Sequence, residues 1–174
     1  MRPYDGPYTL HYGIRPEAIE RGRDIAVALR RRTGLPIALI VPESYALESW
    51  PDTSWADRVF GEASPADWVE SIRGCSFLVT DSFHGCVFAT RARRPFLAFP
   101  QGRSAERILD VTRHYGLEDR MAPDGTADDA VEAMLAPVDF DAVHDRLAVD
   151  REASLRFLRE ALGGVASATA DFPT

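Results

Sequence analysis

Short, unbroken apolar runs alternate with longer stretches of helical period along this chain. Residues 7–13 (PYTLHYG) read as a first strand closed by a turn-permitting glycine. From Pro16, a good first-turn residue, Ala18, Gly22, Ile25, Ala26 and Leu29 recur at helical spacing with arginines on the other side. That helix ends in RRTG, basic residues followed by a C-terminal glycine, as the dipole and capping rules favour. PIALIV (36–41) has the all-apolar pattern of a strand buried on both faces. Residues 42–61 carry no period and hold Trp50 and Trp55; the pattern predicts an irregular loop, either over a cleft or anchored by its aromatics. Ser64, Pro65 and Asp67 mark a capped helix start with Trp68, Val69 and Ile72 facing inward.

SFLVT (76–80) is a second buried strand, followed by a turn and an apolar helix through Phe88 and Ala92. PFLAF (95–99) is the next strand, and 104–115 a helix burying Ile108, Val111 and Tyr115. Further helices are predicted over 127–135 and 141–162, the latter with Leu147, Leu155, Leu158 and Leu162 on one side. The small, polar residues 163–174 read as a flexible tail. Strands alternating with helices give an α/β domain with a mainly parallel sheet, and 174 residues suit one domain, over 1–162. Such sheets bind ligands beyond the carboxyl ends of their strands, where strand order reverses. The strand–turn–helix unit at 76–92 is a candidate for that place.

Composition narrows the chemistry. A net charge of −7 argues against a nucleic-acid binder, which needs a basic face. All 20 basic residues are arginines. Without lysine there is no Schiff-base chemistry and no Walker-type phosphate lysine, and arginine is left as the strong cation for a carboxylate or phosphate. The simpler account of that bias is a GC-rich genome favouring arginine codons. Cys75 and Cys86 form no CxxC pair and no Cys/His cluster, so no metal site is expected, and both are read as buried and reduced. No apolar run approaches a membrane span and the first residues lack a signal-peptide pattern, so the expected compartment is the cytoplasm.

The turn between the strand at 76–80 and its helix carries the densest chemistry, in the stretch VTDSFHGCVF. Asp81 or Ser82 can cap the helix by accepting from free backbone amides. The first-turn N–H groups then point outward with partial positive charge, which suits phosphate or carboxylate. Gly85 permits close approach, and His84 can move a proton near neutral pH. The same residues also make an inert capped helix start with a surface histidine.

CSFLVTDSFHGCVFATRARRPFLAF resembles the signature of the polysaccharide pyruvyl transferase family: an apolar strand into T-D-S-F-H-G, a small apolar helix, then a Lys/Arg-Pro-Phe strand. ERILDVTRHYGLEDRM is similar to the family's arginine, leucine-rich helix and GL-x-DR ending; REASLRFLREAL is similar to its C-terminal helix, and PYTLHYG to the strand opening its second half. The resemblance spans about residues 7–162, with Cys86 standing where threonine is usual. It implies a Rossmann-like, three-layer domain, the C-terminal half of a GT-B-like fold whose active site lies between two domains. A further N-terminal domain, a partner chain or a second copy is then expected.

The resemblance implies transfer of pyruvate from phosphoenolpyruvate to two hydroxyls of a sugar or glycan acceptor, with no metal or redox cofactor. His84 becomes the candidate acid or phosphate donor, and Ser82, Phe83, Gly85, Arg103 and Arg107 candidate substrate-binding residues. Asp81 is then a cap or an orienter of His84, with the cap preferred. Arg107 is also readable as an exposed helix arginine. His11 and His114 are read as incidental, and Asp119 and Arg120 as a turn-closing ion pair. Two other functions fit the same pattern: a GT-B donor domain using a nucleotide-sugar, and a non-catalytic half-domain that binds an anion or docks to a partner.

Overall fold

The computed structural model describes residues 3–41, 52–61, 63–99, 102 and 104–168. Strands β1 (Thr9–Tyr12), β2 (Ile37–Ile40), β3 (Arg58–Phe60), β4 (Phe77–Thr80) and β5 (Phe96–Ala98) are only three or four residues long. All pair in parallel, in the order β3-β2-β1-β4-β5. The register aligns Tyr12 with both Ile40 and Thr80, and Thr80 with Ala98. These carboxyl-terminal residues therefore share one edge of the sheet. β1 and β4 are neighbours, yet the chain leaves β1 towards β2 and leaves β4 towards β5. Strand order reverses between them, which opens a crevice at that edge.

Helix boundaries follow local chemistry. In α1 (Pro16–Thr33), proline occupies the first turn and Gly34 closes the end at φ 73, its N–H donating to the Arg30 carbonyl. Ser64 Oγ accepts from the Asp67 N–H to start α2 (Pro65–Gly74). α3 (Phe83–Arg91) and α4 (Ser104–Tyr115) follow β4 and β5. A short 3-10 turn, Glu118–Arg120, precedes α5 (Ala127–Leu135), which opens on a reciprocal Thr126–Asp129 capping box. α1 packs with α5, and α2 with α3. Ile25 and Leu29 of α1, Val79 and Leu97 of the sheet, Phe99, and Val131 and Met134 of α5 form one buried cluster. Each such side chain contributes about 1.5–3 kcal/mol by leaving water.

The irregular segment expected over 42–61 contains β3, and residues 42–51, with Trp50, lie outside the described residues. β3 escapes sequence reasoning because, among the described residues, it is an edge strand paired with β2 alone, so Arg58 and Val59 stay exposed and no apolar run marks it. Trp55 is a packing anchor. It packs against buried Ile19, Leu39 and Val41, and its indole N–H donates to the Asp52 carbonyl.

The chain divides into two compact units, one ending at Val138 and the other beginning at Asp139. The second is α6 (Phe140–Ala168), which continues through Gly163 and Gly164 rather than ending at 162. Residues 169–174 of the expected tail lie outside the described residues. Of the leucine row expected on one side of this helix, Leu158 and Leu162 are exposed. A helical period supplies an apolar face, not something to cover it.

Cys75 and Cys86 are free and buried, and burial pushes the Cys75 thiol up to about 12 and raises Cys86 as well. Among the described residues no helix is long and apolar enough to cross a membrane, and no group of three metal-ligating side chains comes together.

Candidate functional site

The end of β4 is stitched to the end of β1 by side chains. Thr80 Oγ1 donates to the Tyr12 carbonyl (2.7 Å) and accepts from the Ser82 N–H (3.0 Å). One residue on, Asp81 Oδ1 accepts from the Ile14 N–H (2.8 Å), fixing the loop that leads from β1 into α1. Asp81 is thus not the cap of the following helix; its carboxylate holds the β1–α1 loop. Ser82 caps α3, its Oγ accepting from the Gly85 N–H (3.2 Å). The division is geometric: Ser82 sits at the N-cap position, whereas Asp81 occupies the bend between β4 and that cap, within reach of the loop after β1. Burial raises the Asp81 pKa, against the lowering effects of the Ile14 amide, its own amide and Arg15.

Gly85 serves packing. A Cβ there would stand 2.9 Å from Thr80 Oγ1, and its amide is taken by Ser82. The proposed anion cradle therefore does not include the Gly85 or Ser82 side of the turn. By helix geometry, the Phe83 and His84 amides are the first-turn donors that have no carbonyl one turn back.

His84 is exposed and projects from the first turn of α3. Its side chain lines a cavity of about 370 Å³ with Tyr12, Ile40, Val41, Gly61 and Trp68, at the carboxyl ends of β1, β2 and β3. Phe83 meets the His84 ring edge-on at 5.5 Å between centroids. The Arg107 guanidinium of α4 lies over the Phe83 ring, 5.2 Å from its centroid. His84, Phe83 and Arg107 thus come together, and Arg103 lies outside the described residues.

Sequence reasoning missed two contributors. Arg15, the N-cap residue of α1, sends its guanidinium towards the loop after β5, Nη1 lying 3.4 Å from where a Gly102 Cβ would be. Its position immediately before Pro16, at the end of a strand, was the available signal. Trp68, read as core, forms a cavity wall. A larger groove of about 830 Å³ between α2 and α3, lined by Arg73, Arg91 and Arg94, contains no residue of the turn.

The remaining candidates are structural. His11 is fully buried. His114 meets the neighbouring Tyr115 ring at 4.8 Å between centroids. Arg120 is buried and its Nη1 donates to the Ala136 carbonyl (3.2 Å), so it ties the 3-10 turn to the end of α5, with Asp119 acting on it electrostatically.

The model of the family described as polysaccharide pyruvyl transferase matches residues 16–102, half of the chain, from the start of α1 past β5. The chain belongs to the polysaccharide pyruvyl transferase family. The matched span contains β4, the turn and α3, so the family signature and the crevice coincide. No curated protein matches the sequence. Among solved structures, UDP-GlcNAc 2-epimerase from Methanocaldococcus jannaschii, in complex with UDP-GlcNAc and UDP, aligns with a TM-score of 0.53 at 12% identity over 84% of this chain and 46% of that one. The glycotransferase of kitacinnamycin gives 0.53 at 13% identity over 84% and 39%. CalG4, the calicheamicin glycosyltransferase, gives 0.50 at 14% identity over 84% and 38%. The likeness is one of fold: this pyruvyl transferase family member has the parallel α/β architecture of a GT-B half. It spans less than half the length of each of these chains.

Proposed function

We propose that this chain is the phosphoenolpyruvate-binding half of a pyruvyl transferase acting on a sugar of a polysaccharide or glycoconjugate. The observation that carries the reading is His84, presented by a capped helix start at the strand-order reversal beside the Arg107–Phe83 pair. The reaction needs a proton for the donor's methylene carbon, which becomes a methyl group and leaves an oxocarbenium-like centre at the neighbouring carbon. One sugar hydroxyl adds there and loses its proton. The carbon–oxygen bond to phosphate then breaks, and the second hydroxyl closes the cyclic ketal, its proton leaving with the phosphate as hydrogen phosphate. An imidazole suits the proton transfers, and guanidinium groups with helix-start amides suit the phosphate and carboxylate.

In this reading His84 is the acid or the phosphate donor, Phe83 holds Arg107, and Arg107 binds an anionic group of the donor. Arg15 is a second cation at the same edge. The acceptor-facing remainder of the cleft belongs to a further domain, a partner chain or a second copy.

Calorimetry with phosphoenolpyruvate tests the assignment. His84→Ala and Arg107→Ala are each expected to weaken binding by roughly tenfold or more, a loss typical of charge-assisted contacts. Unchanged affinity in both variants overturns it. Tighter binding of UDP-GlcNAc than of phosphoenolpyruvate, with the same variants losing it, assigns the site to a nucleotide-sugar donor. Donor binding with no phosphate release, when acceptor sugars and a full-length family partner domain are supplied, leaves a binding domain only.

A further inference from the structure

The cavity beside His84 has a wall that donor chemistry does not need. Tyr12, at the end of β1, and Trp68, in α2, meet edge to face with ring centroids 5.5 Å apart at 70°. Trp68 also meets Phe88, at 5.2 Å and 75°. The indole is thus positioned by two rings, while its Nε1 is buried without a hydrogen-bond partner. A native fold seldom leaves such a donor unused, because the missing bond costs about 1–3 kcal/mol. Ile40, Val41 and Gly61 complete the wall. Among the described lining residues there is no arginine and no carboxylate, in a chain where 27% of residues are charged. Burial, then Asp81, raises the Tyr12 pKa, so its hydroxyl stays a neutral donor. Aromatic faces with few uncharged donors match the apolar C–H face and hydroxyl rim of a sugar ring rather than an anion. The volume, about 370 Å³, lies at the small end of ligand sites.

We infer that this cavity is a subsite for an uncharged pyranose ring, held in this half of the protein, with Tyr12 and Trp68 as its platform. That the ring is the acceptor rests on the pyruvyl transferase reading. His84 lines the cavity while Phe83, its neighbour, carries Arg107, which does not line it. One imidazole then borders both reactants: the ring on the aromatic side and the anion on the Arg107 side.

Saturation-transfer NMR on the full chain with methyl β-D-glucopyranoside and methyl β-D-galactopyranoside tests this, beside calorimetry with phosphoenolpyruvate. Transfer to ring protons of at least one pyranoside is expected. Ala63→Phe, which fills the cavity from its rim, is expected to abolish that transfer and leave phosphoenolpyruvate affinity within about twofold. Trp68→Phe, which keeps a ring at this position, is expected to weaken the sugar by roughly two- to tenfold. No transfer from either pyranoside, or transfer unchanged in both variants, overturns the inference. So does UDP binding that Ala63→Phe blocks without any sugar signal, which assigns the cavity to a nucleoside. Pyranoside binding blocked by Ala63→Phe in a chain that does not bind phosphoenolpyruvate upholds the ring subsite and rejects the donor reading instead.

Discussion

Gly22 of α1 lies directly over the imidazole of His11: a Cβ at Gly22 would fall 2.0 Å from His11 Cε1. No rotation of a methyl relieves such an overlap, because Phe99 stacks on the ring at 6.0 Å and Trp55 meets it edge-on at 5.6 Å. Glycine in the middle of a helix ordinarily costs about 0.5–1 kcal/mol relative to alanine. Here that cost is offset by the close seating of α1 on the sheet. Gly22→Ala is expected to destabilise the wild type by roughly 1–3 kcal/mol in chemical denaturation. In a His11→Ala background the same change is expected to be neutral or stabilising. An equal penalty in both backgrounds would show that the ring is not what Gly22 accommodates.

His11 also predicts an acid sensitivity. It is fully buried, and burial pushes its pKa down to about 3 against the raising effect of the Val79 backbone. The unfolded chain binds a proton near pH 6.5, whereas the folded chain does not until about pH 3. Stability is therefore complete above 6.5 and falls as pH drops through that window, with a slope of up to about 1.4 kcal/mol per pH unit. His11→Leu removes the titrating group, and its unfolding free energy is expected to lose that component of the slope between pH 6.5 and 4. Parallel pH profiles for the two proteins count against the assignment.

Asp81 separates hydrogen bonding from charge. Burial raises its pKa, so the charged form carries a net cost that appears as pH rises above the ordinary carboxyl value of 3.8. Asp81→Asn retains an acceptor for the Ile14 N–H and is expected to be at least as stable as the wild type at pH 7, the difference shrinking below pH 4. Asp81→Ala orphans that amide and is expected to cost about 1–3 kcal/mol. Amide exchange at Ile14 is the local readout: fast in the alanine variant, slow in the asparagine one. Fast exchange in both would mean that the carboxylate charge, not the acceptor, holds the loop.

Gly85→Ala probes the stitch between β4 and β1. The added methyl meets Thr80 Oγ1 at 2.9 Å and Thr80 Cγ2 at 3.1 Å, and Thr80 is itself fixed by two hydrogen bonds. A loss of roughly 1–3 kcal/mol is expected. Gly6→Ala, where a Cβ meets nothing within 4 Å, is the matched control and should change little. Comparable effects at the two glycines would remove the packing explanation for Gly85.

Elements whose burial is written into consecutive residues were legible in the sequence. IALI and FLVT are strands because both faces are covered, so apolar runs mark them. Gly34 and Ser64 punctuate helices through bonds to residues at most four positions away, which a sequence window contains. The position of His84 followed from the same local logic, since a turn between a parallel strand and its helix must open on the carboxyl edge. Other features depend on distant partners. Asp81 and Ser82 were interchangeable as caps until the Ile14 amide, 67 residues away, claimed the carboxylate. Arg15 and Trp68 join the site only because β1, α2 and β4 converge, and nothing local distinguishes them from an exposed arginine and a core tryptophan.

The middle of the sheet is its oldest part in order of synthesis. β1 is made before the other described strands but gains its second neighbour only once residues 77–80 exist, and the residues that complete it run straight into Asp81, Ser82 and His84. A nascent chain stopped before that point holds β1 with one side bare, a state prone to mispairing with other strands. Pairing of β4 with β1 and appearance of the turn at the rim are thus a single event, after which only β5 remains to be added to the described sheet.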